Sequence, residues 1–150
     1  MVFLKGVAAI VVGIAVYSLM LVGATWVANA ALGLSESELI NHSVATQVLW
    51  LVWNVVSMVA AGYVSAAIAP RAPGARALVM GAIQALFTLG AMFTAHRDLT
   101  PQWLWIALIV ATIPGAWLGA RLRVARTSNG ERQSNSRPSG GLRPEVGVRG

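Results

Sequence analysis

Cysteine is absent from the sequence of 150 residues, which excludes disulfides, iron–sulfur clusters and thiolate zinc sites. Acidic residues number five and histidines two. No Ser/His/Asp set and no group of carboxylates falls at a depth where an apolar chain could use it for catalysis. Charge is scarce throughout, at 11% of residues, so little is available to cover the surface of a soluble domain. The functions left open are those that need neither a metal nor a cofactor, and none is expected.

Apolar residues make up 57% of the chain and mean hydropathy is +0.68, a balance that a globular core of this size cannot hide from water. A spanning helix needs roughly 20 apolar residues, and four segments meet that length: about 4–28, 46–69, 75–95 and 103–124. None has Asp, Glu, Lys or Arg at its centre. The fold class expected is all-α, a polytopic membrane protein with four transmembrane helices in a compact bundle over residues 1–126. Residues 127–150 are rich in Ser, Gly, Arg, Asn and Pro, cannot bury enough apolar surface to offset chain entropy, and are expected to form a disordered cytoplasmic tail.

The charges that exist are unevenly placed. Lys5, Arg71, Arg76, Arg121, Arg123 and Arg126 flank one side of the expected bundle. The opposite connections hold Glu36, Glu38 and His42 in the first loop and His96, Arg97 and Asp98 in the third. Short basic loops stay in the cytoplasm, which predicts a multi-pass protein of the cell (plasma or inner) membrane with both termini cytoplasmic. Trp26, Trp50, Trp53, Trp103 and Trp105 fall near the other ends of their helices, the depth that indole rings favour at an interface. Lys5, the apolar run and Ala28-Asn29-Ala30 imitate a signal peptide. The run from Gly6 to Ala28 is longer than the roughly 7–15 residues of a signal core, so the first helix is retained in this reading.

Local signals mark the connections. Ser35-Glu36-Ser37-Glu38 fits a capping box and predicts a short interfacial helix over about 36–43. Pro70-Arg71-Ala72-Pro73-Gly74 predicts a tight turn. A weak internal repeat pairs Gln47-Val48-Leu49-Trp50 with Gln102-Trp103-Leu104-Trp105 and Ala61-Gly62-Tyr63 with Gly115-Ala116-Trp117. It would relate the first and second helix pairs as parallel repeats.

Small residues four apart let spanning helices approach closely. Gly62 with Ala66 and Gly115 with Gly119 are the candidate packing residues, on an intramolecular reading or as a contact between copies. A candidate polar layer lies near mid-membrane: Tyr17, Asn54, Ser57, Gln84, Thr88 and Thr112. Asn54, Ser57, Ala61 and Ser65 share a helical stripe and should face inward, with Asn54 and Gln84 expected to hydrogen-bond between helices. Pro114 should bend the fourth helix, with Thr112 helping to satisfy the carbonyl of Val110. Glu38 and His42 are spaced like two ligands on one helix face, but a catalytic zinc site normally takes three. Arg71, Arg76, Arg121, Arg123 and Arg126 form a basic collar that fixes topology and meets lipid phosphates.

The stretches Ala61-Gly62-Tyr63-Val64-Ser65-Ala66-Ala67 and Gly115-Ala116-Trp117-Leu118-Gly119-Ala120-Arg121 resemble the arginine-terminated helix ends of small bacterial four-helix integral membrane proteins whose function is unassigned. That resemblance spans about 1–126 and implies a fold without an activity. Small multidrug-resistance exporters also have four short helices, but carry a glutamate in the first that this chain lacks. Fluoride channels carry a Phe-, Thr- and Ser-rich segment that is also missing here. The expected function is a non-enzymatic membrane protein, a scaffold or accessory subunit acting through helix–helix contacts. The alternative is a small oligomeric transporter or channel using the midplane polar layer. Expected partners are membrane lipids and either another copy or another membrane protein, with no nucleic acid, because the basic tail has no interleaved aromatics.

Overall fold

The computed structural model describes residues 2–33, 35, 38, 40, 43–68, 72–94 and 100–135. These residues form four long helices: α1 (Val2–Leu32), α2 (Val44–Ile68), α3 (Pro73–Met92) and α4 (Gln102–Asn135). Each is long and apolar enough to cross a membrane, and they pack together. The protein is therefore an all-helical, multi-pass membrane protein. At about 1.5 Å per residue even the 20-residue α3 reaches about 30 Å, the thickness of a hydrocarbon core.

The helix ends follow from local chemistry. Gly33 adopts a left-handed φ of 66° and its N–H donates to the carbonyl of Asn29 at 2.8 Å, closing α1. Ser43 and Thr46 cap α2 reciprocally. The Thr46 N–H donates to Ser43 Oγ at 3.2 Å and the Ser43 N–H to Thr46 Oγ1 at 3.1 Å. Threonine takes the place that Glu or Gln holds in the usual box. Pro73 opens α3, where its missing N–H is no loss. Ala72, just before it, is left-handed at φ 55° and makes no side-chain cap.

Neighbours around the bundle run α1, α2, α4, α3. The strongest packing is α2 on α4, followed by α4 on α3 and α1 on α2. α2 also meets α3 across the centre, whereas the backbones of α1 and α4 stay apart. An exact exchange of helix pairs would make those two diagonals alike, so the sequence repeat is not matched by symmetric packing. α1 is the peripheral helix. It follows α2 but keeps α3 company only through the first half of its length.

Two expectations change in α4. The helix does not end near residue 124 with a disordered tail from 127; it continues to Asn135. The low apolar content of 127–135 excludes burial but not helix, and Thr127 and Ser128 return their hydroxyls to the carbonyls of Val124 and Ala125 at 2.8 and 3.0 Å. Residues 136–150 lie outside the described residues. Thr112, in turn, donates to the carbonyl of Leu108 at 2.6 Å and not to that of Val110. A threonine hydroxyl reaches back four residues on its own helix, and Pro114 sits on the exposed face of an unbroken α4.

Candidate intramembrane site

One end of the bundle carries the arginines and the other the tryptophans, and the two halves are built differently. In the arginine half, small residues bring α2 and α4 into backbone contact. A Cβ on Gly62 would collide with the carbonyl of Ala116, and one on Gly119 with the carbonyl of Val59. Gly115 lies against Met58, with 3.1 Å from its Cβ position to the Met58 Cβ. Ala66, the fourth candidate packing residue, is buried. All four thus sit between helices of one chain. Gly13 admits Met80, Ala61 and Ser65 against α1, and Gly81 seats α3 on α4 at 3.3 Å from the Ala116 Cβ. Ser65 is fully buried with no partner for its hydroxyl, so the crossing uses its small volume and not its polarity.

The polar layer lies where this tight half ends. Tyr17, the midpoint of α1, donates its hydroxyl to Asn54 Oδ1 at 2.8 Å, and Asn54 Nδ2 donates to the carbonyl of Trp50 at 2.9 Å. Both side chains are buried, as are Ser57 and Thr112. The interhelical partner of Asn54 is thus Tyr17 and not the expected Gln84. Gln84 faces the same Tyr17 hydroxyl from α3. Ser57, Thr88 and Thr112 each satisfy their hydroxyls on the carbonyl four residues back, at 2.8, 3.0 and 2.6 Å. They are polar residues closed on their own helices, which leaves Tyr17, Asn54 and Gln84 as the groups that face one another. The stripe of Asn54, Ser57, Ala61 and Ser65 is wholly buried, as its spacing predicts.

Beyond this layer the tryptophan half opens. A cavity of about 690 Å³ lies along α1, lined by Ser18, Thr25, Trp26 and Asn29 with Tyr17 and Gln84 at its floor. A second of about 330 Å³ lies between α2, α3 and α4, and shares Tyr17, Leu21 and Gln84 with the first. Trp105 is in its wall, and the indole Nε1 is buried without a partner. Trp53 does have one, donating Nε1 to the carbonyl of Met20 at 3.0 Å. Sequence reasoning gave the tryptophans an interfacial role and missed both of these donors. Trp105 lies one turn inside the start of α4 and Trp53 more than two turns inside α2, and neither position signals a partner.

At the arginine end, Arg121 stacks over Trp117, 4.0 Å from the ring centre. Arg123 lies 5.6 Å from the Tyr63 ring and donates Nη1 to its hydroxyl at 3.4 Å. Such contacts hold a cation at the rim while its charge stays wet. Arg76 packs against α1, where Gly6 leaves 3.3 Å from its Cβ position to Arg76 Nε. Arg126 is exposed. Arg71 lies outside the described residues, as do His42, His96, Arg97 and Asp98, so neither the Glu38–His42 pair nor the third loop is described.

In the first loop, the capping box is formed. Ser35 donates its N–H and its hydroxyl to Glu38 Oε2 at 2.8 and 2.6 Å, and the Glu38 N–H returns a bond to Ser35 Oγ at 3.4 Å. These bonds to the charged form hold the Glu38 carboxyl below the ordinary carboxylate range. Ile40, two residues on, is buried beside Trp50 and Leu104, which pins this loop to the end of the bundle.

No family model matches the sequence, and no curated protein or solved structure does. The class is accordingly defined by the fold alone: a small multi-pass membrane protein built on a tight α2–α4 pair.

Proposed function

We propose that the protein is a non-enzymatic scaffold or accessory subunit of the cell membrane that works through contacts between spanning helices, with its arginine end and both termini in the cytoplasm. The observation that carries this reading is the isolation of α1. Only 17% of the residues in its most apolar window are buried, as in α3, against 39% in α2 and in α4; unlike α3, α1 has no backbone approach to α4. Leu4, Val11 and Leu19 are 74%, 58% and 70% exposed on one face, away from α2 and available to another helix in the bilayer. The orientation is supported by Lys5, Arg76, Arg121, Arg123 and Arg126 at one end. Anionic lipid headgroups are the natural counterions of that collar.

Reporter fusions after Arg76 and Arg126 should read cytoplasmic and one at Ser37 external; the reverse would overturn the orientation. A photoreactive residue at Val11 or Leu19 should give one discrete protein adduct in native membranes, reproduced when the identified partner is purified and co-reconstituted. Equal labelling from Val56 or Val110, which face outward on α2 and α4, would remove the distinction claimed for α1. The second reading, a small oligomeric transporter or channel, draws on the open tryptophan half. Solute or ion flux in liposomes would promote it. Within one chain the close α2–α4 crossing at Gly62 and Gly119 blocks the arginine half, so that reading needs either a moving α1 or a pore between copies.

A further inference from the structure

We infer that the paired cavities of the tryptophan half form a binding site for an uncharged lipid with a small oxygen-bearing head, a hydroxyl or a carbonyl, which enters sideways from the bilayer between α1 and α3. The inference does not need the scaffold reading, since it concerns the half of α1 from Tyr17 to Ala30.

Size comes first. The two volumes, about 690 and 330 Å³, meet at Tyr17, Leu21 and Gln84, and either alone falls in the range of about 300–1,000 Å³ that holds a small molecule. Access comes second. α1 and α3 run side by side from Gly6 at Arg76 through Gly13 at Met80 to Tyr17 at Gln84, and Gln84 is the one described α3 residue lining the first cavity, which therefore opens on the side of the bundle towards lipid. Charge is third, and selects the ligand class. Not one of the described residues lining either cavity is charged. An ion entering from water would have to shed its hydration with nothing to replace it, whereas a neutral amphipath would lose little.

Hydrogen bonding locates the head. The deep end presents the Gln84 amide beside the Tyr17–Asn54 pair. An oxygen on the ligand is the group that the Gln84 amide can pair with. Trp26, Phe87 and Trp50 supply apolar walls for the remainder of the molecule. A hydrocarbon without a head would make no bond to that amide. A carboxylate would bring a charge that none of the described lining residues neutralises.

The probe is a long-chain primary alcohol bearing a diazirine at mid-chain, photolysed with the full-length protein in phosphatidylcholine vesicles and mapped by mass spectrometry. Labelling should concentrate on the segments around Leu21 and Phe87, saturate, and be displaced by excess hexadecan-1-ol but not by hexadecane or hexadecanoate. Gln84→Leu should reduce displaceable labelling by about three- to tenfold, the worth of one lost hydrogen bond. Ser18→Trp, at an exposed position on the cavity wall, should block it without touching the core; unchanged labelling in that folded variant would overturn the site. Labelling that follows lipid exposure, with Val56 and Val110 reacting as strongly, would also overturn it. Displacement by hexadecane as effective as by the alcohol would reject the role of the head. Stronger displacement by hexadecanoate would reject the uncharged class.

Discussion

The arginine half and the tryptophan half of the bundle are made from helices of the same mean character yet pack in opposite ways. Near Gly62, Gly115 and Gly119, α2 and α4 meet backbone to backbone, and Ala61, Ala66, Ala116 and Ala120 are buried around them. Near Trp50, Trp105, Gln84 and Phe87 the helices stand apart and enclose open volume. In lipid, no gain in apolar burial drives helices together, because lipid tails are as apolar as leucine. Contact is decided by fit. Small side chains give close backbones and many dispersion contacts. Large and polar ones hold helices apart unless their shapes and hydrogen bonds interlock, as they do among the described residues at Tyr17–Asn54 and at Trp53–Met20.

If fit is the decisive term, adding one methyl group in the tight half should have the largest effect of any small change. Gly62→Ala or Gly119→Ala sets a Cβ against a backbone carbonyl of the facing helix, and should cost about 3 kcal/mol, the upper part of the usual overpacking range. At Gly23 and Gly90 nothing lies within 4 Å of a new Cβ; there alanine should be neutral or add up to about 1 kcal/mol through helix propensity. Unfolding of the four variants in bilayers would compare them directly. Equal effects at all four positions would break the contrast between halves.

The boundary between the halves can be sharpened by a double-mutant cycle. Tyr17→Phe and Asn54→Leu should be coupled by about 0.6 kcal/mol, and at most about 1.7, as in other interhelical bonds in membranes. Coupling of Asn54→Leu to Gln84→Leu should be smaller, because Asn54 already spends its oxygen on Tyr17 and its amide on Trp50. The reverse order would return Gln84 to the role of Asn54's partner.

The smallest effect belongs to the loop over the tryptophan end. The Glu38 carboxyl is held below its ordinary pKa by Ser35, so its contribution is present above the unfolded-state pKa and is lost as pH falls through the folded one. Protection of the Ser35 amide, its exchange rate relative to the intrinsic rate at each pH, should fall as pH drops below the ordinary carboxylate range and stay constant above it. Glu38→Gln should flatten that response. Unchanged protection on acidification would show that Ile40, buried at 8% exposure, holds the loop without the box.

The sequence by itself determined that there are four spans, where the charges and indoles lie along them, and which residues are small enough for close approach, because each of these is a property of one helix in lipid. It also determined the box at Ser35 and Glu38, whose bonds span three residues, and the stripe from Asn54 to Ser65, which periodicity alone turns inward. The reciprocal cap at Ser43 and Thr46 and the closing turn at Gly33 were equally local. They went unread because threonine stands where a carboxylate or amide is usual, and because the apolar count for α1 ran out at Ala28, short of its helical end. Only the tertiary structure decided that Asn54 pairs with Tyr17, that α1 leaves α3 halfway along, and that Trp105 keeps a buried donor. Partners across helices depend on rotation and separation, and in a chain where many faces are equally apolar no pattern in the sequence fixes either. The physical reason is the solvent: lipid accepts almost any apolar face, so the sequence selects the spans while steric fit between particular side chains selects the neighbours.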